Sequence, residues 1–517
     1  PIIATLTAAI LFVTASHELS KEYREFERTS TVAANAYVGP RVQHYLSESN
    51  AFLAEAGFPG TFLIVQSTGG LYDAAQASRE CIRMLESGPA AGVIGTRRLC
   101  AAMGLDNAIA FDMGGTTAKA GVIVDGVELT SSNVLIGGYA EGLPIQIPMI
   151  DIEEVGTGGG SIARVVAGHA LRVGPESAGA QPGPVSYGNG GTLPTVTDAN
   201  VVLGRLAPDL FLGGEMPLDR DGAAAAIAEH VAGPLGIDTI QAADGIIRIA
   251  VSQMANVVKR VTTARGLDVR DFAMVAYGGA GPLHATLVAR ELQIGRVVIP
   301  NAPGHFSAYG MLVSNLRRDF VQTLFARLDQ APFDAFDTVF AGMRERGEAE
   351  IRAAAGGPVA VDFVQSADMR YVGQEHAVEV TIARELFDTR DIAGIKRRFD
   401  EVHQQRYGYA SPDERAEIVS LRVSVVGEID KPNLAPIERA GDPSPEVALI
   451  DRRPVEFGVL GGRIVTPIYH RDRLTAGHVV EGPALIQEYA STTVVAPGDR
   501  VTVDALGNLQ IEVETKS

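Results

Sequence analysis

The chain has 517 residues, 46% of them hydrophobic and 21% charged, the composition of a globular protein too long for one core. Its 62 acidic and 44 basic side chains give a net charge of −18, which argues against a nucleic-acid surface and against an anionic membrane. Cys81 and Cys100 are the only cysteines, too few for a disulfide framework, so a reducing, cytoplasmic setting is expected.

The opening "PIIATLTAAILFV" is apolar but too short to span a bilayer and has no basic flank, so a buried strand or helix is expected. Residues 19–50 read as helical. "GTFLIVQSTGG" reads as a strand ending in a glycine turn, and 74–103 as helical pieces broken at "SGP". Residues 107–126 look like a hairpin, and 137–194 like a loop-rich tract. "DGAAAAIAEHVAGPLG" and "ADGIIRIAVSQMANVVKRVTTARG" are helices stopped by glycine. "FAMVAYGGAGPLHATLVAREL" is strand, glycine turn, helix, with Pro282 near the helix start, where a missing N–H costs nothing. "GRVVIPNAPG" is a strand running into a loop. After about residue 320 the character changes. "DMRYVGQEHAVEVTI" and "AEIVSLRVSVVGEI" alternate like strands around a helix at "DIAGIKRRFDEVHQQRYGY". From 455 on, short strands alternate with Gly, Pro and Asp turns, a mostly β ending.

Chemistry concentrates in "FDMGGTTAKAGVIVDG", residues 111–126. Glycines let backbone N–H groups approach phosphate oxygens, and Thr hydroxyls donate to the same oxygens. The carboxylate of Asp112 can hold Mg²⁺ through water or orient an attacking oxygen. A P-loop would run strand, glycine loop, helix with G-x-x-x-x-G-K-[ST], and no such string occurs. "GTGGGS" at 156–161 only half resembles the Rossmann fingerprint. Here the glycines lie between two strands, and Asp125-Gly126 supplies the next turn. That order belongs to the actin-like, sugar-kinase and Hsp70-like ATPases, whose two lobes each offer a hairpin to the phosphates. The bland alternative is a tight hairpin with a capping Asp. A second glycine turn, "YGGAG" at 277–281, matches the loop that in those ATPases lies against the adenosine.

The whole chain then resembles the hydantoinase A / 5-oxoprolinase family, which includes ATPase subunits of acetone and acetophenone carboxylases. The resemblance rests on "EFERTSTVAANAYVGP", "SGPAAGV", "FDMGGTTAK", "VGTGGGSIA" through "PTVTDANVVLGRL", and "YGGAGPLHA" with "NAPGHFSAYGML". "MRYVGQE" and "EGPALIQEYASTTVVAPG" extend it through the C-terminal part. It implies an α/β fold, an actin-like (ribonuclease H-like) ATPase lobe followed by a mixed α+β, β-rich C-terminal domain. The expected division is 1–25, the end of an N-terminal lobe; 26–320, the ATPase domain; and 321–517, the C-terminal domain. Relatives carry a further N-terminal lobe with a first D-x-G-G-T hairpin, whereas the string occurs here once, at 112–116. Either another chain or segment supplies it, or it is absent from these residues for another reason. Ser186 stands where many relatives have Cys, which removes a thiol candidate.

The resemblance implies an ATP-binding subunit that phosphorylates a carbonyl oxygen. A cyclic amide such as a hydantoin or lactam would then be opened by water, with a B-type partner subunit. The alternative is the ATPase subunit of a ketone carboxylase, and a third reading is a non-catalytic actin-like scaffold. The cofactors implied are ATP and Mg²⁺. The resemblance places any zinc or transition metal on the partner subunit, and the ten histidines here, which form no HxH or HExxH motif, agree with that. By residue, Asp112 is the catalytic and Mg²⁺-holding group. Gly114, Gly115, Thr116 and Thr117 cradle phosphates, and Gly278, Gly279, Ala280 and Gly281 pack on the nucleotide. Lys119 either adds charge or points to solvent. The 156–161 loop either wraps a ligand or is structural. His284, His305, Glu176 and Asp198 are weaker candidates, each with a structural alternative.

Overall fold

The computed structural model describes residues 12–131, 134–137 and 142–515. The apolar stretch expected to form a buried element lies, up to residue 11, outside the described residues. The chain forms two compact units, each assembled from three separate stretches. One takes the described residues within 1–90, 130–150 and 314–431; the other takes those within 91–129, 151–313 and 432–517. No helix among the described residues is long and apolar enough to cross a membrane.

The first unit is built on a six-stranded sheet. Its order is Leu63–Val65, Leu71–Asp73, Leu316–Arg327, Ala416–Glu428, Ala360–Tyr371, Val378–Thr381. The helix Phe333–Ala355 buries Phe336, Phe340, Met343 and Ile351, spaced three to eight apart along one face, and packs on this sheet. Gly347 permits the approach, because a Cβ there would press into Val425. The long helix Glu25–Glu55 realises the helical reading of 19–50 and carries Pro40 within it.

The second unit carries the predicted glycine motifs, and its labelled elements run as follows. β1 is Ala108–Met113 and β2 is Ala118–Val124. α1 is Val196–Val202, β3 is Ala273–Tyr277 and α2 is Gly281–Leu292. β4 is Ala484–Glu488 and β5 is Ser491–Val495. β1 and β2 pair antiparallel, as the hairpin reading of 107–126 requires. β2 pairs antiparallel with Ile152–Val155 on its other side. β3 lies parallel to β1, and Arg296–Ile299 lies parallel to β3. Three antiparallel strands continued by two parallel ones form the α/β ribonuclease H-like core of an actin-like ATPase. Strands from the C-terminal stretch, Leu509–Glu512, Arg500–Val503 and Val479–Glu481, extend the same sheet. The C-terminal part is mixed α+β, with strands dominating after Leu449, as its alternating pattern suggested.

Alternation decides what each face of β1 does. Ile109, Phe111 and Met113 join Met274 and Ala276 of β3 in one core, against Ile246, Ala250, Met254 and Val257. Those four lie on the helix Thr239–Val261, which an Asp238/Gln241 capping box starts. Asp112 has the opposite parity and so leaves this core. The loop-rich tract 137–194 proves to hold a hairpin, Ser161–Val166 with Ala170–Ser177. Its turn runs through Gly168 and His169, both with positive φ, so the strands lacked the usual Asn-Gly signal.

Candidate nucleotide site

Asp112 sits at the C-terminal end of β1, directly opposite Tyr277 at the end of parallel β3. Both glycine turns therefore leave the sheet at one edge, the place where open α/β sheets bind ligands. The two turns touch. The Ala280 N–H donates to the Met113 carbonyl at 3.0 Å. Gly278 has φ +81°, and a Cβ on it would lie 2.5 Å from Asp112 Oδ1 while pressing on the Met113 carbonyl oxygen. Only glycine fits there on both counts. Gly114 and Gly115 differ, since a Cβ on either meets nothing within 4 Å. Among the described residues, no acceptor faces the N–H groups of Gly115 and Thr116. These donors stand on an open surface, with Gly115 and Thr116 exposed and Thr117 half-buried.

A third loop completes the edge. The Gly159 and Gly160 N–H groups donate to the Gly114 and Gly115 carbonyls at 3.1 and 2.6 Å. A Cβ on Gly158 would stand 2.5 Å from the Thr116 nitrogen. The 156–161 tract thus packs directly on the hairpin. α1 holds it there, because both the backbone N–H and the hydroxyl of Thr197 donate to the Gly159 carbonyl, at 2.8 and 2.9 Å. α1 also reaches the second glycine turn. His284 is fully buried; its Nδ1 lies 3.0 Å from the Ala280 carbonyl and its Nε2 lies 3.1 Å from the Asn200 side-chain nitrogen. Donation from Nδ1 to the carbonyl leaves Nε2 to accept from Asn200, which fixes the tautomer. Burial pulls the His284 pKa down to about 4, so the ring stays neutral. His284 is a strut for the YGGAG turn.

Asp112 is the polar centre of the edge. Burial pushes its carboxyl up to about 6, with the Lys119 charge opposing. Among the described residues no hydrogen bond to the carboxyl offsets that burial. Lys119 stands opposite it in register and pairs with Glu154 at 3.2 Å. Lys119 is thus half-buried and adds positive charge to the site. A half-buried carboxyl with free oxygens beside open backbone donors fits a water-bridged Mg²⁺ on a phosphate, because this hard cation needs few protein ligands. Among the described residues no three His, Cys, Asp or Glu side chains converge on a metal position.

The remaining candidates lie elsewhere or serve the fold. Glu176 is exposed and paired with Arg164 at 2.9 Å. Asp198 is buried and accepts from the N–H groups of Ser186 and Thr195 and from the Thr195 hydroxyl, closing the capping box that starts α1. Ser186 is buried beneath it. His305 is exposed in the 301–305 loop, next to Gly304. The sequence reading did not single out Thr197, Asn200 or Ala490, whose carbonyl oxygen lies 3.5 Å from a Cβ placed on Gly279. The capping pattern "PTVTDAN" was the available signal for the first two; nothing local marked the third.

The hydantoinase/oxoprolinase family model matches residues 28–320, and the hydantoinase/oxoprolinase C-terminal domain model matches 329–512. The chain is 35% identical to the caprolactamase subunit alpha of Pseudomonas jessenii, over 96% of this chain and 71% of that one. It is 32% identical to the acetophenone carboxylase gamma subunit of Aromatoleum aromaticum, over 96% of this chain and 68% of that one. The crystal structure of the ATP-dependent caprolactamase from Pseudomonas jessenii superposes with a TM-score of 0.83 at 33% identity, covering 99% of this chain and 74% of that one. The chain belongs to the hydantoinase/oxoprolinase family.

Proposed function

We propose that this chain is the ATP-binding subunit of a cytoplasmic, multi-subunit enzyme that opens a cyclic amide after phosphorylating its carbonyl oxygen. The observation that carries the reading is the half-buried Asp112 carboxyl, with unused oxygens, flanked by two glycine turns that meet at one sheet edge. The open N–H groups of Gly115 and Thr116 and the Thr116 and Thr117 hydroxyls hold the phosphates; Gly278 to Gly281 carry the nucleoside. Bound Mg²⁺ supplies charge neutralisation on the phosphates. Asp112, ionised, would hold that ion through water or orient the attacking group.

Amide resonance makes a lactam carbonyl a poor electrophile. Attack of its oxygen on the γ-phosphorus breaks the bond to ADP and forms an O-phosphorylated imidate. Resonance is then lost and phosphate becomes a leaving group. Water adds to the carbon, the C–N bond breaks to release a protonated amine and leave an acyl phosphate, and a second water cleaves that to carboxylate and phosphate. A second reading, phosphorylation of a ketone enolate for carboxylation, is supported by the similarity to the acetophenone carboxylase subunit.

The proposed assembly has a B-type partner and a chain or segment bearing the other D-x-G-G-T hairpin, because one such string supplies half of a two-lobed phosphate clamp. The 517-residue chain alone should show no substrate-dependent ATP hydrolysis. Phosphate release should appear when the partners are added, and robust turnover by the isolated chain overturns this assembly. Bicarbonate-dependent turnover would select the carboxylase reading.

Gly279→Val probes the second turn. A Cβ there meets only the Ala490 oxygen, at an ordinary 3.5 Å, so the fold accepts it. The added methyls stand where the nucleotide would pack. ATP affinity should fall at least tenfold with an unchanged melting temperature; unchanged affinity in a folded variant removes this turn from the site.

A further inference from the structure

The C-terminal stretch sends a hairpin to this edge. β4 and β5 pair antiparallel with Glu488 opposite Ser491, leaving Tyr489 and Ala490 as the tip. The Ala490 carbonyl oxygen lies 3.5 Å from Cβ positions built on both Gly279 and Gly304. The loop of Gly304 is itself tied to the second turn, since the Gly278 N–H donates to the Pro303 carbonyl at 2.9 Å. Tip, glycine turn and the 301–305 loop therefore meet.

Behind the tip lies a set of buried polar groups. The register opposes Ile486 to Thr493 as it opposes Glu488 to Ser491, so Glu488, Ser491 and Thr493 share one face of the hairpin. Arg471 follows the strand Arg463–His470, which runs parallel to β4 with His470 opposite Gln487, and its charge acts on Glu488. Arg471, Ser491 and Thr493 are 4%, 7% and 0% exposed. Glu488 Oε1, Ser491 Oγ, Thr493 Oγ1 and Arg471 Nη1 have no hydrogen-bond partner. Arg471 reaches the Gly507 carbonyl through its other nitrogen, at 2.5 Å. Buried polar groups are nearly always hydrogen-bonded, so four unused ones on and next to the hairpin whose tip meets the second glycine turn require a reason.

We propose that the β4–β5 tip is the nucleoside wall of the site and that Glu488, with Ser491, selects the base of the bound purine triphosphate. This rests on the reading of the two glycine turns as the nucleotide site. A neutral carboxyl donates through its O–H and accepts through its C=O, which matches the N1 acceptor and amino donor of adenine. An ionised carboxylate only accepts, which matches the two N–H donors of guanine. Burial holds the Glu488 carboxyl up at about 7, with Arg471 lowering it and Asp472 raising it; Asp504 acts behind Arg471. Selection of ATP over GTP is therefore strongest below neutral pH and fades above it.

The test uses the enzyme assembled with its partner chains and calorimetric titration with the β,γ-imido analogues of ATP and GTP at pH 6 and pH 8. The wild type should favour the ATP analogue, less so at pH 8. Glu488→Gln keeps one donor and one acceptor without ionising, so its preference should persist unchanged at both pH values. Glu488→Ala should lose at least tenfold of the preference with an unchanged melting temperature. A folded Glu488→Ala enzyme with the wild-type ATP-to-GTP ratio overturns the proposal. Wild-type enzyme that binds neither analogue overturns instead the reading of the glycine turns.

Discussion

Asp112→Asn should lower turnover of the assembled enzyme by about 10²–10⁴-fold, as expected for a lost metal-orienting or positioned acid–base group. The same change should make the protein more stable. The substitution keeps shape and hydrogen-bonding capacity but removes the charge. Burial raises the Asp112 pKa from 3.8 to about 6, so the fold disfavours the ionised form. The sign follows from linkage. Below the unfolded-state pKa the carboxyl is neutral in both states and costs nothing. As pH rises through the folded-state value the penalty becomes complete. At pH 7 it is on the order of 2–3 kcal/mol at ~1.4 kcal/mol per pKa unit. Asn escapes it, so the variant should gain stability at pH 7 and little at pH 4, measured by urea unfolding without nucleotide or Mg²⁺. Opposite signs for activity and stability mark a group kept for chemistry. A merely capping Asp would give near-normal turnover and a small stability loss.

Gly278→Ala should do damage of another kind. The added methyl meets the Met113 carbonyl oxygen and Asp112 Oδ1 together, and φ is +81°. Neither obstacle yields cheaply, because Met113 belongs to a strand paired on both sides. Strain at positive φ and overpacking each cost roughly 1–3 kcal/mol. A destabilisation of about 2–6 kcal/mol is expected from their sum. Any relief by movement displaces Asp112, and a shift near 1 Å is enough to lose about 10²-fold in rate. Chemical unfolding and single-turnover phosphate release measure the two effects. Gly279→Val, one residue on, should leave stability unchanged and weaken ATP binding instead. A Gly278→Ala protein as stable and active as wild type would mean that the second turn does not brace the first.

Much of this edge was legible because its parts are local. A strand, a carboxylate and two glycines before a second strand determine a hairpin whatever lies around it. Pro282 in the first turn of α2 and the strand before Gly278 did the same for the second turn. The helix Phe333–Ala355 passed unnoticed, although Phe336, Phe340, Met343 and Ile351 repeat at helical spacing. Its charged run, "RERGEAE", and Gly347 hid the stripe. The units were harder still. Strands at 63–73 join a sheet with strands beyond residue 316, and strands beyond 479 extend the sheet of β1. Such pairings are fixed by faces and registers that no single segment contains. Ala490 is invisible in sequence for the same reason, since only the register of β4 with β5 brings it to Gly279.

Two glycine-rich loops that lie far apart in sequence hang from one seven-residue helix, α1, by Thr197 on one side and Asn200 through His284 on the other. Their relative position is therefore a property of a short rigid rod. A ligand arriving at this edge has little backbone to order, so its binding entropy is spared the cost of assembling two mobile loops. The same rod makes Thr197 and Asn200 partners in a single unit, and the effects of altering both should not sum.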